Sequence, residues 1–381
     1  MKILRFRLLR LMDGIGIKSK VWGEILSSNG LLRLNVIDFS KKIIKTIAIF
    51  LLFEYTICNR VARSLLALGT KLRLVLSFFT LRRDFMDLKK PLTFDEQLDK
   101  LVAHGMIITD REKAKDILKR VNYYRFTGYA LQFRQAPSGS DYIVGTTFET
   151  VYHLYKVDEI LRDTFRRYIE KAEVYYRTQI AYGFSIAKCT ETPYDQHYDE
   201  NNFYNKKGYR EVMENFSREK NYYKDSLIVK HHKMKYSSKM PLWVIVELMS
   251  FSNMSKLYSS MYYSEKDAIA HMVGVGRDTL ENHLHCLSVL RNKCAHAARM
   301  YNTDFNPPAK FTTSFLRKHS EIKNNSLFAY TLVLLKRLPD ESSKKSLIQT
   351  VENVISEYSD DIDLKLIGFP ENYMEIMKNN L

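Results

Sequence analysis

The stretch "TTFETVYHLYKVDEILRDTFRRYIEKAEVYYRTQIAYGF" limits the folds open to this chain more than any other. It contains no proline, and Gly183 is its first glycine, so nothing before that point interrupts a helix. Val151, Leu154, Leu161, Phe165, Ala172 and Ile180 recur at helical spacing. Most of the sequence after residue 86 reads the same way. In "DREKAKDILKRVNYYRFTGYALQFR", Ala114, Ile117, Leu118 and Val121 keep the helical period before an aromatic run to Phe133, and "APSGSD" is the loop that follows. "PLWVIVELMSFSNMSKLYSSM" predicts a helix with Pro241 near its start. The segment from Glu191 to Met240 is rich in Tyr, Asn and Lys and is expected to be largely loop. After Pro307-Pro308, "SLFAYTLVLLKRL" and "KKSLIQTVENVISEYS" read as amphipathic helices of a C-terminal tail. The fold class is all-α, with no repeat and no Gly-rich phosphate loop.

The net charge of +16 looks like a nucleic-acid signature until it is divided along the chain. Residues 1 to 85 hold 16 Lys and Arg against 5 Asp and Glu, whereas the rest holds 43 against 38, so the downstream body is only mildly basic. Composition breaks at the same place: the upstream part contains a single tyrosine, Tyr55, and the other 24 lie downstream. The most apolar upstream run, "IIKTIAIFLLFEYTIC", is interrupted by Lys45 and Glu54 and is shorter than a spanning helix. "MKILRFRLLRLM" intersperses Arg with Leu and lacks the form of a secretory signal. Two readings of the prefix remain, a basic amphipathic membrane-surface arm or sequence upstream of a start at Met86, and the second is favoured. "MDLKKPLTFDEQLDKL" reads as a beginning, with Thr93 an N-cap and Glu96 at capping-box spacing. Three regions are therefore expected: a basic apolar extension over 1–85, a helical domain over 86–304, and a helical tail over 305–381. Cys58, Cys189, Cys286 and Cys294 show no metal or disulfide spacing, which suits a reducing compartment, and Cys286 and Cys294 read as inert thiols in a helix core.

The chemistry concentrates in "HCLSVLRNKCAHAARMYNTDF". On a helix running from about Thr279 to Met300, Asn292, His296 and Arg299 fall within one arc of Arg291, at roughly 100°, 140° and 80° from it. Leu287, Leu290, Cys294, Ala297 and Ala298 lie on the opposite side as a packed stripe; Leu284 and Ala295 depart from it, and the small Ala295 permits close approach. Histidine can take a proton from a hydroxyl or return one to a leaving oxygen. Arginine suits phosphate oxygens and can stabilise charge in a transition state. Such a flank holds the minimum parts for cleaving RNA through its own 2′-hydroxyl. As a bare pattern it is permissive, and surface arginines with a buried core histidine explain it more often. Arg277 and His283 in "RDTLENH" also fit loosely and carry no assigned role.

Six stretches, in order, give the sequence a family likeness: "KPLTFDEQLDKL", "VNYYRFTGYALQFR", "EVYYRTQIAY", "PLWVIVELMSF", "LRNKCAHAARMYN" and "GFPENYMEI". From about Lys89 onward the chain resembles the Abi family of bacterial abortive-infection proteins, the AbiD/AbiF-like group within the HEPN superfamily. The resemblance implies a HEPN-like helical bundle with additional helices. It places the superfamily's motif, an Arg followed by a polar residue and then a His, on Arg291, Asn292 and His296, and it implies a metal-independent endoribonuclease that uses no cofactor and pairs two motif copies in a homodimer. Related proteins often carry a second His directly after the motif His; this chain has Ala297 there.

Glu173 and Arg177 resemble the family's paired charges on the first long helix, and Glu247 an acidic position on the "PLWVIVE" helix; ordering the helices around the motif explains them as well as catalysis does. Arg299 is a further supporting residue. Lys220, Lys224, Lys230, Lys233, Lys235 and Lys239 interleave with tyrosines and histidines, a pattern suited both to RNA contact and to a solvated loop. His231-His232 and the His283/His285 pair lack the company of a metal site. The leading expectation is a phage-defence ribonuclease in the bacterial cytoplasm, with RNA as substrate, a regulatory noncoding RNA as a further partner, and no membrane partner. A non-cleaving RNA-binding module that binds a small noncoding RNA or senses phage stays open beside it.

Overall fold

The uninterrupted stretch forms a single 41-residue helix, and the rest of the fold is laid against it. The computed structural model describes residues 88–380; the expectations for 1–85, for Met86 and for Cys58 lie outside them. In chain order the helices are α1 Phe94–Ala103, α2 Arg111–Arg120, α3 Tyr123–Tyr129, α4 Phe148–Lys188, α5 Lys206–Tyr222, α6 Leu227–Lys235, α7 Leu242–Leu248 and α8 Phe251–Ser260. They continue as α9 Tyr263–Met272, α10 Arg277–Ala295, α11 Thr313–Lys318, α12 Leu327–Arg337, α13 Glu341–Glu357, α14 Leu364–Ile367 and α15 Tyr373–Lys378. Among the described residues β structure is limited to isolated bridges, so the all-α class holds. Pro91–Leu381 forms one compact unit. No helix of the described residues is long and apolar enough to cross a membrane.

Local chemistry sets several boundaries. Thr93 and Glu96 form the expected capping box: the Glu96 N–H donates to Thr93 Oγ1 at 3.2 Å, and the Thr93 N–H donates to Glu96 Oε2 at 2.7 Å. Thr147 caps α4, accepting from the Thr150 N–H at 3.0 Å. The run from Asp110 to Phe133 does not form one helix: Val121 is extended, and Asn122 caps α3 by accepting from the Tyr124 N–H. Likewise Ser250 accepts from the Asn253 N–H and divides the stretch after Pro241 into α7 and α8. Gly183 does not end α4. A Cβ there would lie 2.5 Å from Ile269 Cγ1, so the glycine lets α9 pack closely.

The largest departure from expectation falls between Glu191 and Met240, which holds α5 and α6. Tyr209, Val212 and Phe216, spaced three and four apart, are buried on α5, which packs against α8. Polar residues around that narrow stripe lower the mean hydropathy without removing the period. α4 packs against α3, α7, α9, α10, α12 and α13, and is thereby the axis of the unit. In α12, residues Leu327 to Leu335 are all buried, so this helix is enclosed by α4, α10 and α13 and lacks the polar face expected of it. At ~25 cal/mol per Å² of apolar surface, each buried leucine in that helix contributes about 2 kcal/mol before entropy is counted.

His283 sits inside this core, with Nε2 2.7 Å from the Lys310 carbonyl and no partner for Nδ1. Burial pushes the imidazole down to about 4. The folded state therefore keeps it neutral while the unfolded chain takes up a proton below about pH 6.5. Stability should fall as pH drops from that value toward 4, by up to about 3 kcal/mol from this group. Urea unfolding at pH 7 and pH 4.5 should show a smaller difference in His283→Asn than in the wild type.

Candidate functional site

The expected helix through Met300 is shorter than its apolar pattern suggests. α10 ends at Ala295 with His296 as C-cap, and Ala297 turns left-handed at φ 50°. The Ala297 N–H donates to the Cys294 carbonyl at 3.3 Å and the Ala298 N–H to the Lys293 carbonyl at 2.8 Å, the paired bonds of a Schellman turn. Glycine is the usual residue at such a position, so Ala297 is held there by its surroundings. The turn changes the wheel reading. Leu287, Leu290 and Cys294 are buried as expected and Leu284 joins them, but Ala297 is exposed and Ala298 only half-buried. Arg299 is not on the helix flank. It lies on the returning chain, where its guanidinium donates to the Gly128 carbonyl of α3.

Three arginines from earlier helices close the end of α10. Arg166 Nη2 donates to the Cys294 carbonyl at 3.2 Å, Arg125 to the Ala297 carbonyl, and Arg162 Nη1 to the Ala298 carbonyl at 3.4 Å. These carbonyls have no partner within the helix, and the helix dipole places negative charge there, so cations are stabilised. The Lys293 ammonium lies 4.8 Å from the centre of the Phe305 ring, and burial lowers its pKa. Asp158 of α4 anchors the arrangement from within the core. Its carboxylate accepts from Tyr129 Oη at 2.6 Å, from Arg162 Nη1 at 2.5 Å, and from the Met300 and Tyr301 N–H groups at 3.1 and 3.0 Å. Burial pushes the carboxyl up, opposed by these donors, and burial together with Asp158 raises the Tyr129 hydroxyl.

A second group positions Arg291. Glu173 is buried and accepts from Arg177 Nη2 at 2.6 Å through one oxygen, while its other oxygen lies 3.7 Å from Arg291 Nε. Arg177 also donates to the Met249 carbonyl at 2.9 Å. Arg291, Glu173, Arg166 and Ala295 line a cavity of about 210 Å³. On the other flank, Asn292 donates to Ser252 Oγ at 3.0 Å and borders a cleft of about 570 Å³ between α8 and α10. His296 stands exposed at the helix end.

Several residues fall elsewhere. Glu247 is exposed on α7, outside both carboxylate groups. The lysines do not form one strip: Lys220, Lys224 and Lys233 line a cavity of about 150 Å³, Lys230 pairs with Asp225, Lys239 with Asp195, and Lys235 lies over the Tyr236 ring. Arg277 pairs with Asp267 and Asp278, and His283 belongs to the core. Burial raises the thiols of Cys286 to about 11 and Cys294 to about 12, which makes both inert at neutral pH.

Reading the motif alone missed Arg125, Arg162, Arg166 and Asp158. The available signal was the set Asp158, Arg162 and Arg166, four residues apart on the same face as Leu154, Leu161 and Phe165. Replacing Asp158 by Asn leaves one acceptor oxygen in place of two and removes the counter-charge of Arg162. We expect a loss of about 3 kcal/mol in denaturant unfolding, because the buried Arg162 charge loses its counter-charge. Amide exchange at Met300 and Tyr301 should accelerate beyond that of α12.

No curated protein and no solved structure matches the chain. Residues 116–302 match the model of the family described as Abi-like protein. That stretch runs from α2 to just beyond the Schellman turn and carries Arg291, Asn292 and His296; over it, the chain is similar to that family.

Proposed function

We propose that this chain is an abortive-infection protein of phage defence that acts in the bacterial cytoplasm as a metal-independent endoribonuclease of the HEPN type. The observation that carries the reading is the exposed His296 at the end of α10, beside a set of arginines whose positions are fixed by carbonyl and carboxylate partners. Cleavage needs a base for the ribose 2′-hydroxyl, an acid for the leaving 5′-oxygen, and cationic support for the phosphate between them. The 2′-oxygen attacks phosphorus, the P–O5′ bond breaks, and the products are a 2′,3′-cyclic phosphate and a 5′-hydroxyl. His296 transfers the proton. Arg291, steered by Glu173 and Arg177, holds the phosphate, and Asn292 is oriented by Ser252. Arg299 supports the turn through α3.

His296→Ala and Arg291→Ala should each lower RNA cleavage at least ~100-fold while the helical circular dichroism is unchanged. Cleavage by the wild type should persist in EDTA and end in the cyclic phosphate. Wild-type rates in soluble His296→Ala, a strict Mg²⁺ requirement, or cutting of DNA would defeat the nuclease reading. RNA binding without cutting by the wild type would instead favour the binding module, a reading drawn from the family resemblance.

One chain offers a single His296, whereas the reaction needs both a base and an acid. We propose a homodimer in which the α10 ends of two copies face each other around one RNA strand, an isologous arrangement. Light scattering of RNA-free protein should give twice the chain mass. Mixing wild-type chains with His296→Ala chains should lower cleavage by more than dilution accounts for, because each mixed dimer holds one imidazole where the reaction needs two; a monomer that cleaves RNA would refute the shared site.

A further inference from the structure

We infer that the cavity between α5 and α6 is a phosphate-binding site, separate from the end of α10, that seats one phosphoryl group of single-stranded RNA or of a free nucleotide. It is lined by Ser217, Lys220 and Asn221 of α5, by Lys224 just beyond that helix, by Lys233 of α6, and by Ser238 in the turn that follows. Val229 and Met240, both buried, also line it. Its volume of about 150 Å³ is below the roughly 300 Å³ at which whole drug-sized molecules are enclosed, and suits a phosphoryl group with part of its ribose.

Charge gives the cavity its preference. Neighbouring carboxylates are committed elsewhere: Asp225 to Lys230 at 3.3 Å, Asp195 to Lys239, and Glu219 to the Ser250 N–H at 3.2 Å. Among the described residues no carboxylate lies within ion-pair distance of Lys220, Lys224 or Lys233. Three lysines border one small space, so a bound dianion is attracted by all of them. The hydroxyls of Ser217 and Ser238 and the amide of Asn221 supply neutral donors to the same space. The backbone gives an independent sign. Ser237 and Ser238 are both left-handed, at φ 49° and 68°, and neither is glycine; strain of this kind gathers at ligand clamps. The turn is closed by bonds from the Tyr236 and Ser238 N–H groups to the His232 carbonyl, both 3.0 Å, and Ser238 borders the cavity. Tyr222, Tyr223 and Tyr236 are exposed on the same elements, where an unpaired base can stack.

This deepens the RNA reading and rests on it only for the source of the phosphate. The test uses the full chain carrying His296→Ala, so that RNA is not consumed, and a short labelled single-stranded oligoribonucleotide. Lys220→Gln/Lys224→Gln/Lys233→Gln should weaken binding about tenfold or more. The carboxylate-paired Lys230→Gln/Lys239→Gln protein should change it far less. A cavity holding one phosphate predicts that the triple variant loses about 0.7 from the slope of log affinity against log salt, whereas three independent contacts would remove about 2. Inorganic phosphate and AMP, titrated as competitors, separate the sources: displacement by AMP assigns a nucleotide site, and binding of the oligonucleotide alone assigns RNA. A slope change near 2, equal losses in both variants, or no binding of any of the three probes would overturn the site. Wild-type cleavage assayed in parallel reports on the groups at the end of α10, so failure of the nuclease reading leaves this result standing.

Discussion

The Asp158 carboxylate, fully buried in the first third of α4, is the interaction on which the candidate site depends. A charge in that position needs donors, and it finds them in Tyr129 of α3, Arg162 one turn along α4, and the backbone of Met300 and Tyr301. These partners come from three separate parts of the chain. Satisfying one carboxylate therefore fixes where α3 lies on α4 and where the chain returns after α10. Arg162 extends the arrangement, since the same guanidinium that pairs with Asp158 donates to the Ala298 carbonyl. The position of the turn after His296 is thus set from inside the core.

This gives the end of α10 an uncommon character. A helix C-terminus ordinarily presents open carbonyls to water. Here Arg125, Arg162 and Arg166 donate to the carbonyls of Ala297, Ala298 and Cys294, and the Schellman turn satisfies that of Lys293 and adds a second donor to that of Cys294. Arg162 is also paired with Asp158 and Arg166 lies 3.4 Å from Asp163, whereas Arg125 has no carboxylate partner among the described residues. An exposed histidine beside them experiences a field suited to an anion, supplied by groups that need not reorganise when one arrives. On the far side, Glu173 sits between Arg177 and Arg291 and gives the motif arginine a fixed direction.

Much of the helical organisation was readable, and the misreadings have physical causes. The capping box at Thr93, the length of α4 and the inert thiols follow from residue type and spacing. α5 was hidden because its buried face is only Tyr209, Val212 and Phe216 among polar residues, and α8 supplies the rest of its stabilisation. The break at Ser250 was hidden because serine is tolerated within a helix as well as at its start. Arg299 was misplaced because nothing in "AHAARM" lacks helix propensity. α10 ends there because its terminal carbonyls find better partners in arginines far away in sequence.

By itself, the sequence determined the all-α class, most helix positions and the side of α10 on which Leu287, Leu290 and Cys294 are buried, since these depend on local period and residue type. Only the tertiary structure decided that His296 caps the helix, that Arg299 turns away to α3, and that three of the six lysines share one cavity. Each of these depends on which buried polar group is satisfied by which distant partner. That matching is made between segments more than a hundred residues apart, as with Arg125 and Ala297, and local spacing carries no record of it.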